Sequence, residues 1–156
     1  MESWNQTSSD AVRSHTSDEV NRRIDTRVEA CVRQMAEQKD RAAITRYLET
    51  LEHEWDLGRT VSVVASGVVV AGLLLGGRNG RGWRMLSGVA AGLLLQHGLL
   101  GYGPLAELVR AWGIRTRREI DLEKFALKAL RGDFARIPHE GGPLARANAA
   151  LVAAQS

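Results

Sequence analysis

Hydrophobic and polar residues follow two distinct patterns along this chain. Residues 60–77 and 85–106 form two runs, of 18 and 22 residues, that contain no Lys, Arg, Asp or Glu. A helix needs about 20 apolar residues to cross the hydrocarbon core of a bilayer. The pattern therefore predicts two transmembrane helices, and the short loop between them, 78–84, makes them an antiparallel hairpin. The alternative is a buried helical hairpin in a soluble protein, although few soluble cores of this size contain two such runs.

Elsewhere the apolar residues recur every three or four positions, which is the period of an amphipathic helix. Before the first run, these residues are Val20, Ile24, Val28, Cys31, Met35, Ile44, Leu48, Leu51 and Trp55. After the second run, they include Ile120, Leu127 and Leu130, with Gly132 as a terminator. The capping boxes Thr16-x-x-Glu19 and Thr116-x-x-Glu119 predict helix starts on the two sides. We therefore expect an all-α membrane protein, with a two-transmembrane antiparallel helical hairpin and amphipathic helical arms on both sides.

These patterns divide the chain into seven predicted segments. They are a disordered N-terminus at 1–16, an amphipathic helical arm at 17–59, transmembrane helix 1 at 60–77, a short loop at 78–84, transmembrane helix 2 at 85–106, a juxtamembrane helical arm at 107–134 and a flexible tail at 135–156 with room for a short helix. The first segment is assigned as disordered because it is polar over most of its length.

The distribution of charge predicts the orientation of the spans in the membrane and argues against one class of partner. The 156-residue chain has a net charge of +3. Eight Lys or Arg residues flank the predicted spans on the side of the termini, against three in the loop, so the positive-inside rule places both termini in the cytoplasm. The absence of a basic stripe with interleaved aromatic residues argues against nucleic acid as a partner. A single cysteine, Cys31, permits no internal disulfide.

Three tryptophans lie at the ends of the predicted spans. Trp55 precedes the first span, Trp83 lies in the loop and Trp112 follows the second, as in the aromatic belts of membrane interfaces. The arginines around Trp112 are Arg110, Arg115, Arg117 and Arg118. Attraction to anionic lipid contributes about 1 kcal/mol per basic residue near the surface. We therefore predict that this segment anchors the protein at the interface of the lipid bilayer.

Small residues predict where the two spans contact each other. Each span carries one Gly-x-x-x-Gly motif at similar depth near the loop, and glycine lets helices approach closely in lipid. Gln96 continues the spacing of the second motif, and Ser66 lies at the same distance from the loop, so these two side chains are predicted to share a hydrogen bond. The predicted packing residues are Ser66, Gly72, Gly76, Gly88, Gly92 and Gln96.

His97 is the one ionisable residue near the middle of a predicted span, and such a residue is a functional hypothesis by default. The simplest interpretation is a neutral imidazole bonded to a carbonyl or to the second chain of a dimer. A second is ligation of haem or another metal, because Gly98 and Gly101 leave room for a macrocycle and a symmetric dimer supplies two axial histidines. A third is a proton or ion relay, for which neither span offers an acidic partner.

No catalytic constellation is apparent elsewhere, so the sequence predicts a protein that is not an enzyme. Glu49, His53 and Asp56 share a helical face in "ETLEHEWD" and resemble a metal patch. Their spacing does not match the Glu-x-x-His pair of di-iron bundles, and a solvated acidic face is the simpler interpretation.

The stretch "LLQHGLLGYGPLAELVRAWGIRTRREIDLEKFALKALRGDF" and the preceding "YLETLEHEWDLGR" resemble the YgaP-like two-span bacterial membrane domain, a family of largely unknown function. The resemblance covers roughly residues 44–134 and implies a helical hairpin that dimerises in the inner membrane. Some members carry a rhodanese sulfurtransferase domain, for which the 59 residues before the first span are too few. Gly103 stands where the family's Gly-x-Cys-Pro motif has its cysteine, so the thiol for sulfur chemistry is missing.

Three functions fit these patterns. The leading prediction is a non-enzymatic inner-membrane protein that acts as a membrane-anchored homo-oligomer or as an accessory subunit of a membrane complex. The alternatives are a haem- or metal-binding membrane subunit that uses His97, and a small pore former similar to a holin.

Overall fold

The computed structural model describes residues 10–38, 40–77, 80–137 and 142–155, and all the regular structure in these ranges is helical. The α-helices are α1 (Ala11–Ser14), α2 (Asp18–Gln38), α3 (Arg41–His53), α4 (Leu57–Leu75), α5 (Arg81–Leu100), α6 (Pro104–Ala111), α7 (Arg117–Arg131) and α8 (Pro143–Gln155), with one 3₁₀ turn at Asp133–Arg136. The predicted all-α class is therefore confirmed. The helices form two compact units, which we call the hairpin unit (Met1–Asp25 and Trp55–Arg117) and the arm unit (Thr26–Glu54 and Arg118–Ser156).

The hairpin unit is built on α4 and α5, which pack against each other in opposite directions. Asp56 begins α4, because its carboxylate accepts a hydrogen bond of 2.8 Å from the backbone N–H of Arg59. Gly72, near the end of α4, lies against Trp83 and Ser87, near the start of α5. The connection is shorter than predicted, because α5 begins at Arg81; residues 78 and 79 lie outside the described part of the chain.

The second apolar run is not one continuous helix, and the prediction of a single helix over 85–106 is wrong. α5 ends at Gly101, whose left-handed backbone (φ 75°) lets its N–H bond back to the carbonyl of His97 at 2.9 Å. Pro104 then occupies the first position of α6, where its missing N–H costs nothing. Together these residues bend the chain by 87° between α5 and α6.

Apolar length supports one or two membrane-spanning helices. The helical stretch Arg41–Leu75 contains a segment that is long and apolar enough to cross a membrane. The bent pair α5–α6 is a second such segment only if the two helices are counted together.

α1 completes the core of the hairpin unit. Its Val12 packs with residues of α4 and α6 in an apolar cluster. The members of this cluster are Val12, Leu57, Val61, Ala106 and Val109, with Leu94, Leu105 and Ile114 at its edge. The prediction of disorder over 1–16 is therefore wrong for residues 10–16, while residues 1–9 lie outside the described part. The sequence pattern missed α1 because four residues are too few to display a period.

The arm unit has an ordinary apolar core between α2, α3 and α7. Its buried residues are Ile44, Leu48, Leu51, Ile120 and Leu127, with Val32, Met35 and Tyr47 packed against them. Two predicted core positions differ, since Leu130 is exposed and Trp55 lies beyond the end of α3, half exposed. α7 begins directly after Thr116 and ends at Gly132, which has φ 89°. In contrast, α2 begins at Asp18 rather than at the Thr16 box, because the Thr16 hydroxyl donates to the carbonyl of Val12 at 2.7 Å.

Candidate functional site

α4 and α5 approach each other closely at Gly72. A Cβ atom at this position would meet the hydroxyl of Ser87 and would lie 2.8 Å from the backbone carbonyl of Trp83. A Cβ at Gly76 would lie 3.1 Å from Cγ of Arg84 and 3.5 Å from Cβ of Trp83. The glycine motif of α4 therefore faces α5, as its spacing predicts.

The glycine motif of α5 does not face α4. Gly88 and Gly92 are exposed, and an added Cβ at either position would meet nothing within 4 Å among the described residues. The prediction that the two motifs pair with each other is therefore wrong. Ser87 and Ala90, on a neighbouring stripe of α5, are buried instead. Because successive residues are rotated by about 100° around a helix, Gly88 points away when Ser87 points inward.

The polar contact between α4 and α5 comes from Ser87 rather than from Gln96. The Ser87 hydroxyl is within 3.1 Å of the carbonyl oxygens of Val69, on α4, and of Trp83, on its own helix. Ser66 donates within its own helix, to the carbonyl of Ser62 at 2.6 Å. The predicted hydrogen bond between Ser66 and Gln96 is therefore wrong, because a helical serine can satisfy its hydroxyl on the preceding turn.

Gln96 lies at the bend between α5 and α6. Its amide faces Gly103, where a Cβ atom would be 3.8 Å from the amide nitrogen of Gln96. This is an ordinary van der Waals distance, and Gly103 has an extended backbone that any residue can adopt. Gln96 therefore packs against the turn between α5 and α6.

His97 lies in the last turn of α5 and is half buried. Its Nδ1 atom is enclosed and has no hydrogen-bond partner within the described ranges. A buried polar atom left without a partner costs about 1–3 kcal/mol, so this nitrogen is one of the least satisfied groups in the hairpin unit. Within the described residues, no group of three or more His, Cys, Asp and Glu side chains is placed to hold a metal ion.

An open apolar groove runs between α4 and α5 on one side of the hairpin. Its volume is about 500 Å³. The groove is lined by Ser66, Val69 and Val70 of α4 and by Ala91, Leu94, Leu95, Gly98 and Leu99 of α5. Since the Ser66 hydroxyl already bonds within its own helix, the groove offers apolar contact rather than polar recognition.

The three predicted interface tryptophans are exposed. Trp55 and Trp83 are about half exposed, and Trp112 is 75% exposed. The guanidinium carbon of Arg59 lies 4.7 Å from the centre of the Trp55 ring, a cation–π contact. The backbone N–H of Leu57 donates to the carbonyl of Arg115 at 2.8 Å, which brings the chain near Trp55 and the chain near Trp112 to the same end of the hairpin.

The four predicted interface arginines divide into two pairs. Arg117 and Arg118 are exposed. Arg110 and Arg115 are buried, and Arg110 has no exposed surface at all. The prediction that Arg110 and Arg115 contact lipid headgroups is therefore wrong. Sequence proximity to a tryptophan could not reveal this, because the contacts that bury Arg110 come from a distant part of the chain.

A polar network fastens the N-terminal segment to α6. Arg110 donates from Nη2 to Oδ1 of Asn21 at 2.9 Å. The Asn21 amide nitrogen donates to the carbonyl of Arg13 at 3.0 Å. Arg13 in turn forms a bidentate ion pair with Asp25, with distances of 3.0 and 2.8 Å. This network joins residues 89 positions apart, and no local pattern signals it.

The fold and these contacts define the class of the protein as an all-helical protein with one or two helices apolar enough to span a membrane. Comparison with protein-family models, with curated proteins and with solved structures finds no match. The function must therefore be inferred from the contacts described above.

Proposed function

We propose that this protein is an integral protein of the bacterial inner membrane, with α4 and α5 crossing the bilayer and both termini in the cytoplasm. We further propose that it acts without catalysis, as a membrane-anchored homo-oligomer or as an accessory subunit of a membrane complex. The observation that carries the proposal is the apolar outer surface of the hairpin. Its exposed large side chains include Val70, Leu73, Leu74, Leu75, Met85, Val89, Leu95 and Leu99. Soluble monomers rarely expose a continuous apolar surface of this kind, which is typical of contact with lipid or protein.

The dimensions of the hairpin support a membrane location. α4 has 19 residues, which at 1.5 Å per residue gives a length of roughly 28 Å. The hydrocarbon core of a bilayer is about 30 Å thick. Trp55 and Trp112 lie at one end of the hairpin and Trp83 lies at the other, so half-exposed or exposed tryptophans occur at both of the expected interfaces.

The open face of α5 supports the oligomeric part of the proposal. Gly88 and Gly92 lie one helical turn apart on that face and are not covered by α4. Small residues on a lipid-facing helix let a second helix approach closely. The resemblance to the YgaP-like membrane domain points in the same direction, and membership of that family is part of the proposal. Sulfur transfer is not, because Gly103 replaces the motif cysteine.

The test is purification of the full chain in a gentle detergent, followed by measurement of the mass of the protein within the micelle and identification of any co-purifying proteins. We expect a mass above that of one chain or a reproducible partner. Gly88→Leu and Gly92→Leu should lower the assembled mass, because leucine blocks the close approach of another helix. Gly67→Leu is the matched control, since Gly67 is an exposed glycine on α4 with nothing near its Cβ position. A single-chain mass without a partner would contradict the proposal.

A second candidate function is a haem- or metal-binding membrane subunit. The observation that favours it is the enclosed Nδ1 of His97, which lacks a hydrogen-bond partner in the described residues. A metal-bound histidine uses one ring nitrogen for the metal and gives the other to an acceptor, so a ligand or a second chain would have to complete this site. An absorption spectrum and metal analysis of the purified protein test it. A colourless, metal-free sample would exclude this second function and leave the first in place.

A further inference from the structure

α6 buries one charged residue and exposes one large apolar residue, although Ala106 and Val109 are buried as well. Its most deeply buried side chain is Arg110, which has no exposed surface, whereas Leu108 is 61% exposed and the adjoining Trp112 is 75% exposed. In a helix at the surface of a water-soluble protein, the arginine would face the solvent and the leucine would face the core. The exposed side of α6 therefore carries an apolar side chain, Leu108, close to the exposed Trp112.

The buried face of α6 contacts other parts of the hairpin unit. Ala106 and Val109 pack into the core of the hairpin unit, and Arg110 bonds to Asn21. In the turn before α6, the ring of His15 stacks on the ring of Tyr102, with 3.8 Å between the ring centres. Because the N-terminal segment holds this face, α6 cannot turn Leu108 and Trp112 inward without breaking these contacts.

The direction of α6 suits a membrane interface. α6 is bent by 87° from α5, so it lies parallel to the membrane plane if α5 runs along the bilayer normal. α5 ends with the exposed leucines Leu99 and Leu100, and beyond the bend α6 carries the exposed Leu108. The bend lies at the end of the hairpin where Arg59 stacks on the half-exposed Trp55.

Charged residues lie where the polar part of the interface would be. Glu107 is exposed, but it is rotated by about 100° from Leu108 and so lies at the edge of the apolar stripe. Arg117 is exposed a few residues beyond Trp112. Basic side chains at this level complement anionic headgroups, and tryptophan prefers the headgroup level of a bilayer.

We infer that α6 is an interfacial helix that lies flat on the cytoplasmic leaflet, with Leu108 and Trp112 inserted between phospholipid headgroups and the upper parts of the acyl chains. This inference rests on the proposed membrane insertion of α4 and α5. The partner of the exposed face of α6 is then phospholipid. The hydrogen bond between Asn21 and Arg110 positions α6, because it holds the opposite face against the protein and leaves the apolar face toward the membrane.

The inference can be tested with single spin labels in the full chain, reconstituted into vesicles of phosphatidylethanolamine and phosphatidylglycerol. Cys31 is replaced by serine, and single cysteines are placed at Leu108 and Leu99 and at Ala30, an exposed residue of α2 that serves as the aqueous control. The readout is the accessibility of each label to oxygen, which dissolves in lipid, and to a water-soluble nickel complex. All three positions are exposed, so the labels should not disturb the packing, and circular dichroism checks that the helix content is retained.

We expect the label at Leu99 to lie deep in the bilayer, the label at Leu108 to lie at shallow depth, and the label at Ala30 to lie in water. The ratio of oxygen to nickel accessibility at Leu108 should be several-fold higher than at Ala30. If the Leu108 label resembles Ala30 while Leu99 lies in lipid, the inference is overturned and the proposed membrane insertion stands. If the Leu99 label also resembles Ala30, the proposed insertion itself fails. If neither reagent reaches Leu108, another protein chain covers α6, which also overturns the inference.

Discussion

Replacing Gly72 with alanine is the most direct test of the contact between α4 and α5. The added methyl group would meet the hydroxyl of Ser87 and would lie 2.8 Å from the backbone carbonyl of Trp83. A side-chain hydroxyl can rotate away, but a helical carbonyl can move only if α5 moves. We therefore expect Gly72→Ala to separate the two helices near the loop.

The expected change in stability caused by Gly72→Ala is the sum of two opposing effects. Adding a methyl group to a tightly packed contact costs about 1–3 kcal/mol. Exchanging glycine for alanine inside a helix returns roughly 1 kcal/mol of helix propensity. The propensity term also applies to Gly67→Ala, where nothing lies near the added methyl group, so it cancels when the two variants are compared. Gly72→Ala should therefore be less stable than Gly67→Ala by about 1–3 kcal/mol, or about 5- to 150-fold in the folding equilibrium.

The assay is reversible unfolding in mixed micelles, in which sodium dodecyl sulfate is titrated into a mild detergent and circular dichroism follows the loss of helix. Adding Ser87→Ala to Gly72→Ala should restore part of the stability, because it removes the nearest atom while leaving the Trp83 carbonyl in place. A double-mutant cycle isolates this coupling. Equal stability of Gly72→Ala and Gly67→Ala would refute the close approach of the two helices at this point.

Three further predictions address other parts of the chain. Asn21→Ala removes an acceptor 2.9 Å from the Arg110 guanidinium and should lower the free energy of unfolding by about 1.5–3 kcal/mol in the same titration; no change would contradict a stabilising role for this bond. Gly132→Ala places a side chain at φ 89° and should cost about 1–2 kcal/mol by thermal unfolding, whereas Gly132→Asn should cost less because asparagine tolerates this region. A membrane-impermeant maleimide should label the native Cys31 in spheroplasts only after permeabilisation, and labelling of intact spheroplasts would reverse the proposed orientation.

The sequence predicted the helices better than their contacts. Apolar period and charge-free runs depend on local spacing, so they correctly indicated the helical class and most of the core of the arm unit, with Leu130 and Trp55 as exceptions. The bend between α5 and α6 was not predicted, although Gly103 and Pro104 weaken a helix, because the charge-free run continues through them. An apolar run shows that a segment is hydrophobic enough to enter a bilayer. It does not show where the chain changes direction, because that depends on backbone torsion angles.

The rotation of α5 about its axis was the main error in the predicted site, whereas the glycine face of α4 was predicted correctly. Gly88 and Ser87 are both small, and a motif of small residues does not specify which of two adjacent stripes faces the partner. Ser87 could have been found as part of the stripe that continues through Ala90, although glycine spacing drew attention to the other stripe. The contact between Arg110 and Asn21 could not have been found, because it depends on where α1 and the start of α2 lie in space.

The buried residues of α6 differ from those of α3, and the difference bears on the proposed function. In α3 the buried residues are Ile44, Leu48 and Leu51, as water requires. In α6 an arginine is buried and bonded while a leucine is exposed, an arrangement that water disfavours. A solvent without hydrogen-bonding capacity reverses this preference, because polar groups must then find partners within the protein and apolar side chains can face outward freely. If α6 lies on the membrane as we infer above, removal of lipid should release α6 while leaving the core of the arm unit intact.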